Sequence, residues 1–100
     1  MPWFVYLLEC RGGHVYTGIA VDVQARYAAH VSGRGARYTR ANPPERLLAS
    51  FACRDRSAAT RAEAAIKRLD PARKRALCAT PFEGDLLQAL GLANEAEAIG

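Results

Sequence analysis

Two apolar segments separated by a short glycine-containing turn most constrain the fold of this chain. Residues 3–10 are aromatic and β-branched at the start and nearly all apolar, which predicts a strand that is buried on both faces. Residues 14–19 predict a second strand. Because Arg11, Gly12 and Gly13 lie between the two segments, we expect the strands to form a β-hairpin.

The length of the hairpin loop decides which side chains share a face, because side chains alternate along a strand. A two-residue turn would put Tyr6 and Tyr16 on opposite faces of the hairpin. A three-residue loop would pair Tyr6 with Gly18 and Leu8 with Tyr16, so that both tyrosines share one face. We expect the second register, or a bulge with the same effect, and we expect Gly18 to leave room for a substrate beside Tyr6.

The rest of the chain predicts one further strand and several helices. The first predicted helix covers residues 23–32, with Asp22 as its cap and an apolar stripe of Val23, Tyr27 and Val31. A basic loop over residues 33–43 and a strand over residues 46–53 follow it. The next helix covers residues 58–69, with Ser57 as its cap and the stripe Ala59, Ala62, Ile66 and Leu69, and a further helix capped by Asp70 extends from Pro71 to about Cys78. A capping box that begins at Thr80 predicts a last helix to about Gly91, followed by a frayed tail.

The predicted order β-β-α-β-α-α-α indicates an α+β fold, with a small three-stranded sheet flanked by helices. We expect residues 1–80 to form one domain, with residues 81–100 packed on it as a C-terminal helix and tail. No apolar run approaches the roughly 18–20 residues that a membrane helix needs, and the N-terminus shows no signal peptide, so we expect a cytoplasmic protein. The three cysteines, Cys10, Cys53 and Cys78, lack zinc-site spacing and are expected to be buried apolar thiols.

The charge of the chain is divided unevenly. All 14 Lys and Arg residues lie within residues 1–80, together with six acidic residues, so this part carries a net charge of +8. Residues 81–100 carry a net charge of −4. A basic body favours polyanion binding through counterion release, and Arg can donate two hydrogen bonds to one phosphate. Composition therefore raises nucleic acid as a candidate partner.

Five sequence elements together resemble the GIY-YIG nuclease superfamily. They are the hairpin motifs Phe4-Val5-Tyr6 and Tyr16-Thr17-Gly18, then Arg26 and His30 on the first helix, and Glu63 on a later helix. Residues 33–40 and 63–69 resemble the small, stand-alone bacterial branch of that superfamily. There are departures: the first motif keeps only its tyrosine, Thr17 replaces isoleucine in the second, and no asparagine lies between Asn42 and Asn94.

The resemblance implies a metal-dependent endonuclease that hydrolyses DNA phosphodiester bonds with low intrinsic sequence specificity. Glu63 would hold Mg²⁺ or Mn²⁺. A single protein ligand would be enough, because a hard cation that keeps most of its waters takes few protein ligands. Arg26 would neutralise charge on the phosphoryl oxygens. Tyr6, assisted by Tyr16 or His30, would position or deprotonate the attacking water. A tyrosine has a pKa near 10, so Tyr6 would need a cationic neighbour to act as a base.

The basic segment after the first helix suits a surface that follows phosphates and stacks bases. The candidate nucleic-acid contacts are Arg34, Arg37, Tyr38, Arg40 and Lys67. Each could instead be solvated; Lys67 has the favourable spacing for an ion pair with Glu63, and His14 is expected to be exposed without a role. Two alternative functions stay open: a nucleic-acid-binding module without turnover, and a nuclease subunit whose specificity comes from a partner protein.

Overall fold

A computed structural model of the protein describes residues 2–79. In chain order its elements are β1 (Trp3–Cys10), β2 (Val15–Ala20), α1 (Val23–Val31), α2 (Arg37–Ala41), β3 (Pro44–Cys53), α3 (Arg56–Lys67) and α4 (Pro71–Ala79). The strands form an antiparallel sheet in the order β2-β1-β3, which confirms the predicted α+β class. The helix predicted from Thr80 and the tail after it lie outside the described residues.

The hairpin loop has the predicted length of three residues. Arg11–Gly13 form a single 3-10 turn, closed by a hydrogen bond of 2.8 Å from the Cys10 amide to the His14 carbonyl. Gly12 and Gly13 both have φ of 81°, a left-handed conformation that favours glycine. Because His14 closes the loop, β2 begins at Val15, one residue later than predicted.

β1 lies at the centre of the sheet and is covered on both faces. Its residues Val5, Tyr6, Leu7 and Leu8 are all at most 1% exposed, as their apolar character predicts. Val5 and Leu7 pack with Ala59, Ala62 and Ile66 of α3, where the alanines allow the helix to approach the sheet closely. This face forms the larger core cluster of the domain.

The second face of the sheet is covered by α1. Tyr6, Leu8 and Cys10 form a buried cluster there, against which Val23 and Tyr27 pack. Asp22 caps α1 as predicted, accepting a hydrogen bond of 3.0 Å from the amide of Ala25. The thiols of Cys10 and Cys53 are buried as predicted, and that of Cys78 is half-buried.

The predicted apolar stripe of α1 is wrong at Val31, which is 57% exposed. A helix advances by about 100° per residue, so a position eight residues after Val23 has rotated about 80° away from it. A position seven residues after Val23 returns to within about 20° of it. That position is His30, which is 1% exposed and takes the inward place.

Three other boundaries differ from the prediction. The predicted basic loop contains the short helix α2, so the order is β-β-α-α-β-α-α over the described residues. β3 begins earlier, at Pro44, a position where a strand tolerates proline. The cap of α3 is Asp55 and not Ser57, because the Asp55 carboxylate accepts a hydrogen bond of 2.8 Å from the Ala58 amide. Asp70 caps α4 as predicted through the Arg73 amide at 2.8 Å.

Ion pairs and a hydrogen bond connect α4 to β1 and to the hairpin turn. The carboxylate of Glu9 contacts Arg46 of β3 at 3.1 Å and Arg75 of α4 at 3.2 Å. Arg75 also donates a hydrogen bond of 2.9 Å to the carbonyl of Gly13. Hydrogen bonds from Arg46 and Arg75 hold the pKa of Glu9 below its usual value. Arg46 of β3 and Arg75 of α4 thereby meet at one carboxylate of β1, and Arg75 also contacts the turn.

Thr17 carries a buried hydroxyl that lacks a hydrogen-bond partner among residues 2–79. The side chain is 2% exposed and lies opposite Leu7, on the face of the sheet that packs against α3. A buried polar atom without a partner costs free energy. We therefore expect Thr17→Val, which keeps the shape and removes the hydroxyl, to raise the free energy of unfolding by about 1 kcal/mol.

Urea unfolding would measure this change as a higher midpoint at an unchanged slope. Thr60→Val is the matched control, since the Thr60 hydroxyl is exposed and donates to the Arg56 carbonyl at 2.8 Å. We expect the control to change stability by at most about 0.5 kcal/mol. A Thr17→Val protein less stable than wild type would contradict the assignment of a hydroxyl without a partner.

Candidate active site

The register of the hairpin brings the two motif tyrosines to one face of the sheet. Tyr6 lies opposite Gly18, and Leu8 lies opposite Tyr16, as the three-residue loop predicts. The rings of Tyr6 and Tyr16 are 6.4 Å apart between centroids and are tilted by 46°. Because side chains alternate between the two faces along a strand, this register places the phenols of Tyr6 and Tyr16 on the same face of the sheet.

Gly18 leaves room for Tyr6 itself, and not for a substrate as predicted. A Cβ atom at Gly18 would lie 2.6 Å from the Tyr6 hydroxyl and 3.1 Å from Cε2 of Tyr16. Both distances are shorter than an ordinary van der Waals contact. The missing side chain is thus needed for the Tyr6 phenol to turn towards α1.

His30, in the last turn of α1, completes a compact cluster with the tyrosines. Its Nε2 atom lies 2.8 Å from the Tyr6 hydroxyl oxygen, within hydrogen-bond distance. The His30 ring also meets that of Tyr16 edge-on, with the centroids 5.1 Å apart. Gly35 packs so closely on His30 that a Cβ there would collide with the imidazole Nδ1.

Tyr38 of α2 extends the cluster to the surface. Its ring stacks on that of Tyr16, with centroids 5.9 Å apart and planes 25° apart, and Tyr38 is 40% exposed. His14 meets the Tyr38 ring edge-on at 6.1 Å, so the exposed His14 contacts the cluster. The order of rings from the interior outwards is Tyr6, Tyr16 and Tyr38.

The electrostatics of the cluster keep its phenols protonated and its imidazole neutral. Burial, with a smaller contribution from Tyr16, raises the pKa of Tyr6 to about 12, while hydrogen bonding and charge from Arg26 act in the opposite direction. Burial also raises the pKa of Tyr16. Burial and the charge of Arg26 lower the pKa of His30, so the imidazole is neutral at pH 7. A neutral imidazole beside a protonated phenol is able to accept its proton.

Arg26 and Glu63 place opposite charges near the tyrosines. Arg26 lies one turn before His30 on α1 and is exposed, yet its charge acts on Tyr6, Tyr16 and His30. Glu63 belongs to α3, on the other face of the sheet, and its charge raises the pKa of both tyrosines. Charges from helices on both faces of the sheet therefore act on the two phenols.

The carboxylate of Glu63 forms the ion pair predicted from its spacing, with Lys67 Nζ at 3.6 Å. Its side chain is 23% exposed, which leaves the carboxylate accessible. Within residues 2–79, no group of three or more His, Cys, Asp and Glu residues could hold a metal ion. Mg²⁺ commonly keeps several waters and takes few protein ligands, so a single accessible carboxylate is compatible with it.

The predicted nucleic-acid contacts fall into two groups. Tyr38 joins the aromatic cluster, and Lys67 pairs with Glu63. Arg34, Arg37 and Arg40 are exposed, and Nε of Arg34 donates a hydrogen bond of 3.0 Å to the Ser32 hydroxyl. The assignment of these residues to catalysis or binding stays a prediction.

Sequence reasoning missed one residue that the structure connects to the site. Thr39 of α2 is 1% exposed, and its Oγ1 lies 2.7 Å from Nδ1 of His30. Thr39 was not identified because the segment around it was predicted as a basic loop. Its two neighbours, Tyr38 and Arg40, are polar or aromatic and exposed, so the apolar pattern that indicates an inward-facing residue is absent.

None of the helices in the described part of the chain combines the length and the apolar character needed to cross a membrane.

The sequence of the chain is similar to those of known proteins. The GIY-YIG catalytic domain family model matches residues 2–76. The chain is 57% identical to a UPF0213 protein of Xanthomonas axonopodis pv. citri over 75 residues, which cover 75% of this chain and 74% of that one.

Two further relatives have the same family designation. A UPF0213 protein of Cupriavidus pinatubonensis is 51% identical over 77% of this chain and 86% of its own length. The solution NMR structure of a UPF0213 protein from Bacillus halodurans is 43% identical, covers 77% of this chain and 82% of its own, and has a TM-score of 0.48. The match to residues 2–76 contains the hairpin, Arg26, His30 and Glu63, and the chain belongs to the GIY-YIG catalytic domain family, a nuclease family.

Proposed function

We propose that this chain is a metal-dependent endonuclease that hydrolyses DNA phosphodiester bonds with low intrinsic sequence specificity. The observation that carries the proposal is the convergence of Tyr6, Tyr16 and His30 from three different elements, with the charges of Arg26 and Glu63 acting on the same phenols. Metal-assisted phosphodiester hydrolysis uses groups of these kinds: a proton acceptor, a cation for the phosphoryl oxygens and a carboxylate for the metal.

In this proposal Tyr6 and His30 transfer a proton together. The pKa of Tyr6, at about 12, makes a free phenolate scarce at neutral pH. Because neutral His30 lies 2.8 Å away, Tyr6 can pass its proton to Nε2 as it takes one from the attacking water. The water oxygen bonds to phosphorus, and the bond to the leaving oxygen breaks with its electron pair remaining on that oxygen. His30 becomes an imidazolium, and the leaving oxygen takes a proton from solvent.

Arg26 has the chemistry to neutralise the substrate during this step. Its guanidinium is exposed, so an incoming phosphate can reach it, and its charge already acts on Tyr6. A fixed cation beside the phosphoryl oxygens stabilises the charge that develops on them in the transition state. Arg26 would thus bind the phosphate and also favour the ionised form of Tyr6.

An accessible carboxylate suits a divalent metal that keeps most of its waters and takes few protein ligands. The side chain of Glu63, on α3, is 23% exposed. We propose that Glu63 holds Mg²⁺ or Mn²⁺, with Lys67 as a neighbouring cation. The bound metal would supply charge stabilisation at the phosphate and the leaving oxygen.

The surface beside the site has the composition of a nucleic-acid contact. We propose that Arg34, Arg37, Arg40 and Lys67 contact phosphates, and that the exposed ring of Tyr38 stacks on a base. Contacts of this kind follow the backbone and do not distinguish base sequence, which is why we propose low intrinsic specificity. A partner protein could add specificity.

Cleavage of labelled single-stranded DNA, duplex DNA, branched DNA and RNA, with Mg²⁺, Mn²⁺ or excess chelator, tests this function. We expect metal-dependent cleavage by wild type and a loss of about 100-fold or more in Glu63→Gln, since removing one electrostatic stabiliser has an effect of this size. Addition of Mn²⁺ should broaden the NMR signals of residues around position 63 in wild type and not in the variant.

Two variants serve as controls for this experiment. Glu45→Gln removes an exposed carboxylate of β3, and Lys67→Gln removes the ion pair while keeping the Glu63 carboxylate. We expect Glu45→Gln to cleave like wild type and Lys67→Gln to lose much less activity than Glu63→Gln. Equal activity in wild type and Glu63→Gln would refute the metal assignment. Binding without cleavage in every protein would favour the nucleic-acid-binding module.

A further inference from the structure

His30 makes two hydrogen bonds, one through each ring nitrogen. Nε2 lies 2.8 Å from the Tyr6 hydroxyl, and Nδ1 lies 2.7 Å from Oγ1 of Thr39. A neutral imidazole has one N–H donor and one acceptor nitrogen, and the partner of one nitrogen determines the role of the other. His30 can therefore accept the Tyr6 proton at Nε2 only while its own proton is on Nδ1.

The contacts of Thr39 fix the position of that proton. Oγ1 of Thr39 lies 2.9 Å from the carbonyl oxygen of Ala36. A carbonyl oxygen has no hydrogen to offer, so the single hydroxyl hydrogen of Thr39 occupies this contact. Oγ1 must then accept from His30, which puts the imidazole proton on Nδ1 and leaves Nε2 as the acceptor.

The hydrogen bond to Tyr6 then has the same direction. Because Nε2 of His30 carries no proton, the Tyr6 hydroxyl donates to it across the distance of 2.8 Å. All the donors face the same way in the series Tyr6, His30, Thr39 and the Ala36 carbonyl.

Burial holds this series of hydrogen bonds in place. His30 and Thr39 are each 1% exposed, so water has little access to replace the hydrogen bond between them. Gly35, just before α2, leaves the space that the imidazole occupies, because a Cβ atom there would collide with Nδ1. The Ala36 carbonyl also accepts from the Arg40 amide at 3.2 Å, which ties the end of the series to the backbone of α2.

We propose that Thr39 is a positioning residue, which fixes His30 as the Nδ1–H tautomer so that Nε2 takes the proton of Tyr6. Its role in the reaction rests on the proposed function; its effect on the tautomer does not. The same short helix presents Arg37, Tyr38 and Arg40 to the solvent and Thr39 to His30. The segment that is proposed to contact the substrate thus also sets the direction of proton transfer.

NMR of ¹⁵N-histidine-labelled protein tests the tautomer directly, because protonated and bare ring nitrogens have distinct shifts. In wild type at pH 7.5 we expect a protonated Nδ1 and a bare Nε2 for His30. Thr39→Val keeps the shape of the side chain and removes the acceptor, so we expect the Nε2–H form to become substantially populated. Thr39→Ser, which keeps the hydroxyl, should restore the wild-type pattern, and Thr60→Val should leave it unchanged.

Cleavage kinetics then test the role of Thr39 in the reaction. We expect Thr39→Val to lower kcat by about 10- to 100-fold, less than the roughly 100- to 10,000-fold that a positioned acid or base contributes, because the acid–base groups themselves remain. We expect KM to be nearly unchanged and kcat to recover in Thr39→Ser. A protonated Nε2 in wild type would overturn the proposal, even if Thr39→Val failed to fold. A Thr39→Val protein with the wild-type tautomer would also overturn it.

Failure of the proposed function would look different. If wild type cleaves no substrate but Thr39→Val shifts the tautomer, the proposed function fails while the effect of Thr39 on the imidazole stands. If the tautomer shifts and kcat stays at the wild-type value, the cleavage reaction stands and the role of Thr39 in it is overturned.

Discussion

Tyr6→Phe is expected to reduce cleavage by about 100- to 10,000-fold, the range that a positioned acid–base group contributes. The variant keeps the ring that packs with Tyr16 and removes only the hydroxyl that lies 2.8 Å from His30 Nε2. The attacking water then has no route for its proton to His30. Single-turnover cleavage with saturating protein measures the loss as a change in the chemical step, separate from substrate binding.

Tyr27→Phe is the matched control for this variant. Tyr27 belongs to α1 and packs against the same buried cluster, so its substitution perturbs the same region of the fold. We expect Tyr27→Phe to retain cleavage within a few-fold of wild type. If Tyr6→Phe also retained wild-type cleavage, the Tyr6 hydroxyl would have no role in proton transfer, and Tyr16 would become the candidate.

Gly18→Ala is expected to lose most cleavage and to lower the free energy of unfolding by about 1–3 kcal/mol, as overpacked sites commonly do. The new methyl group would lie 2.6 Å from the Tyr6 hydroxyl, so the phenol must move away from His30. Thermal unfolding and cleavage assays measure the two effects. The variant thus disrupts the site without removing any polar atom.

A double-mutant cycle separates this clash from a general effect of alanine in a strand. With Tyr6→Ala in the background, the methyl group at position 18 has no phenol to displace. We therefore expect Gly18→Ala to cost clearly less stability in that background, by at least about 0.5 kcal/mol. An equal cost in both backgrounds would attribute the destabilisation to the strand backbone.

The hairpin could be predicted from the sequence because its register depends on local features. Two consecutive glycines at the turn permit the left-handed conformations of a three-residue loop, and this loop length alone places Tyr6 and Tyr16 on one face. The apolar stretch Val5–Leu8 also required burial on both faces, which makes β1 the central strand. Short-range chemistry was sufficient for both conclusions.

The part of the site around α2 could not be predicted, because it depends on contacts distant in the sequence. Thr39 is buried through its bond to His30, nine positions earlier, and no pattern around it distinguishes it from a solvated threonine.

The cap of α3 could not be predicted either. Asp55 and Ser57 are both good helix caps, and the sequence does not decide between them. The choice depends on where β3 ends and how the chain leaves it.

The prediction for Gly18 was right that the missing side chain creates space, and wrong about which group occupies that space. An absent side chain beside Tyr6 was correctly expected to create space, but the phenol of Tyr6 occupies that space. The direction in which a strand side chain leans depends on its partner, and that partner, His30, comes from a separate helix. The sequence identified both residues and could not show their contact.

The central position of β1 has a consequence for biosynthesis. During synthesis β1 and β2 emerge before β3, and their hairpin can close with only local contacts. The strand that protects the other side of β1, β3, emerges only after α1 and α2. Until then the most apolar segment of the chain exposes an unpaired edge, to which another nascent chain could add. The nascent domain is therefore most vulnerable to aggregation in the interval before residues 44–53 leave the exit tunnel.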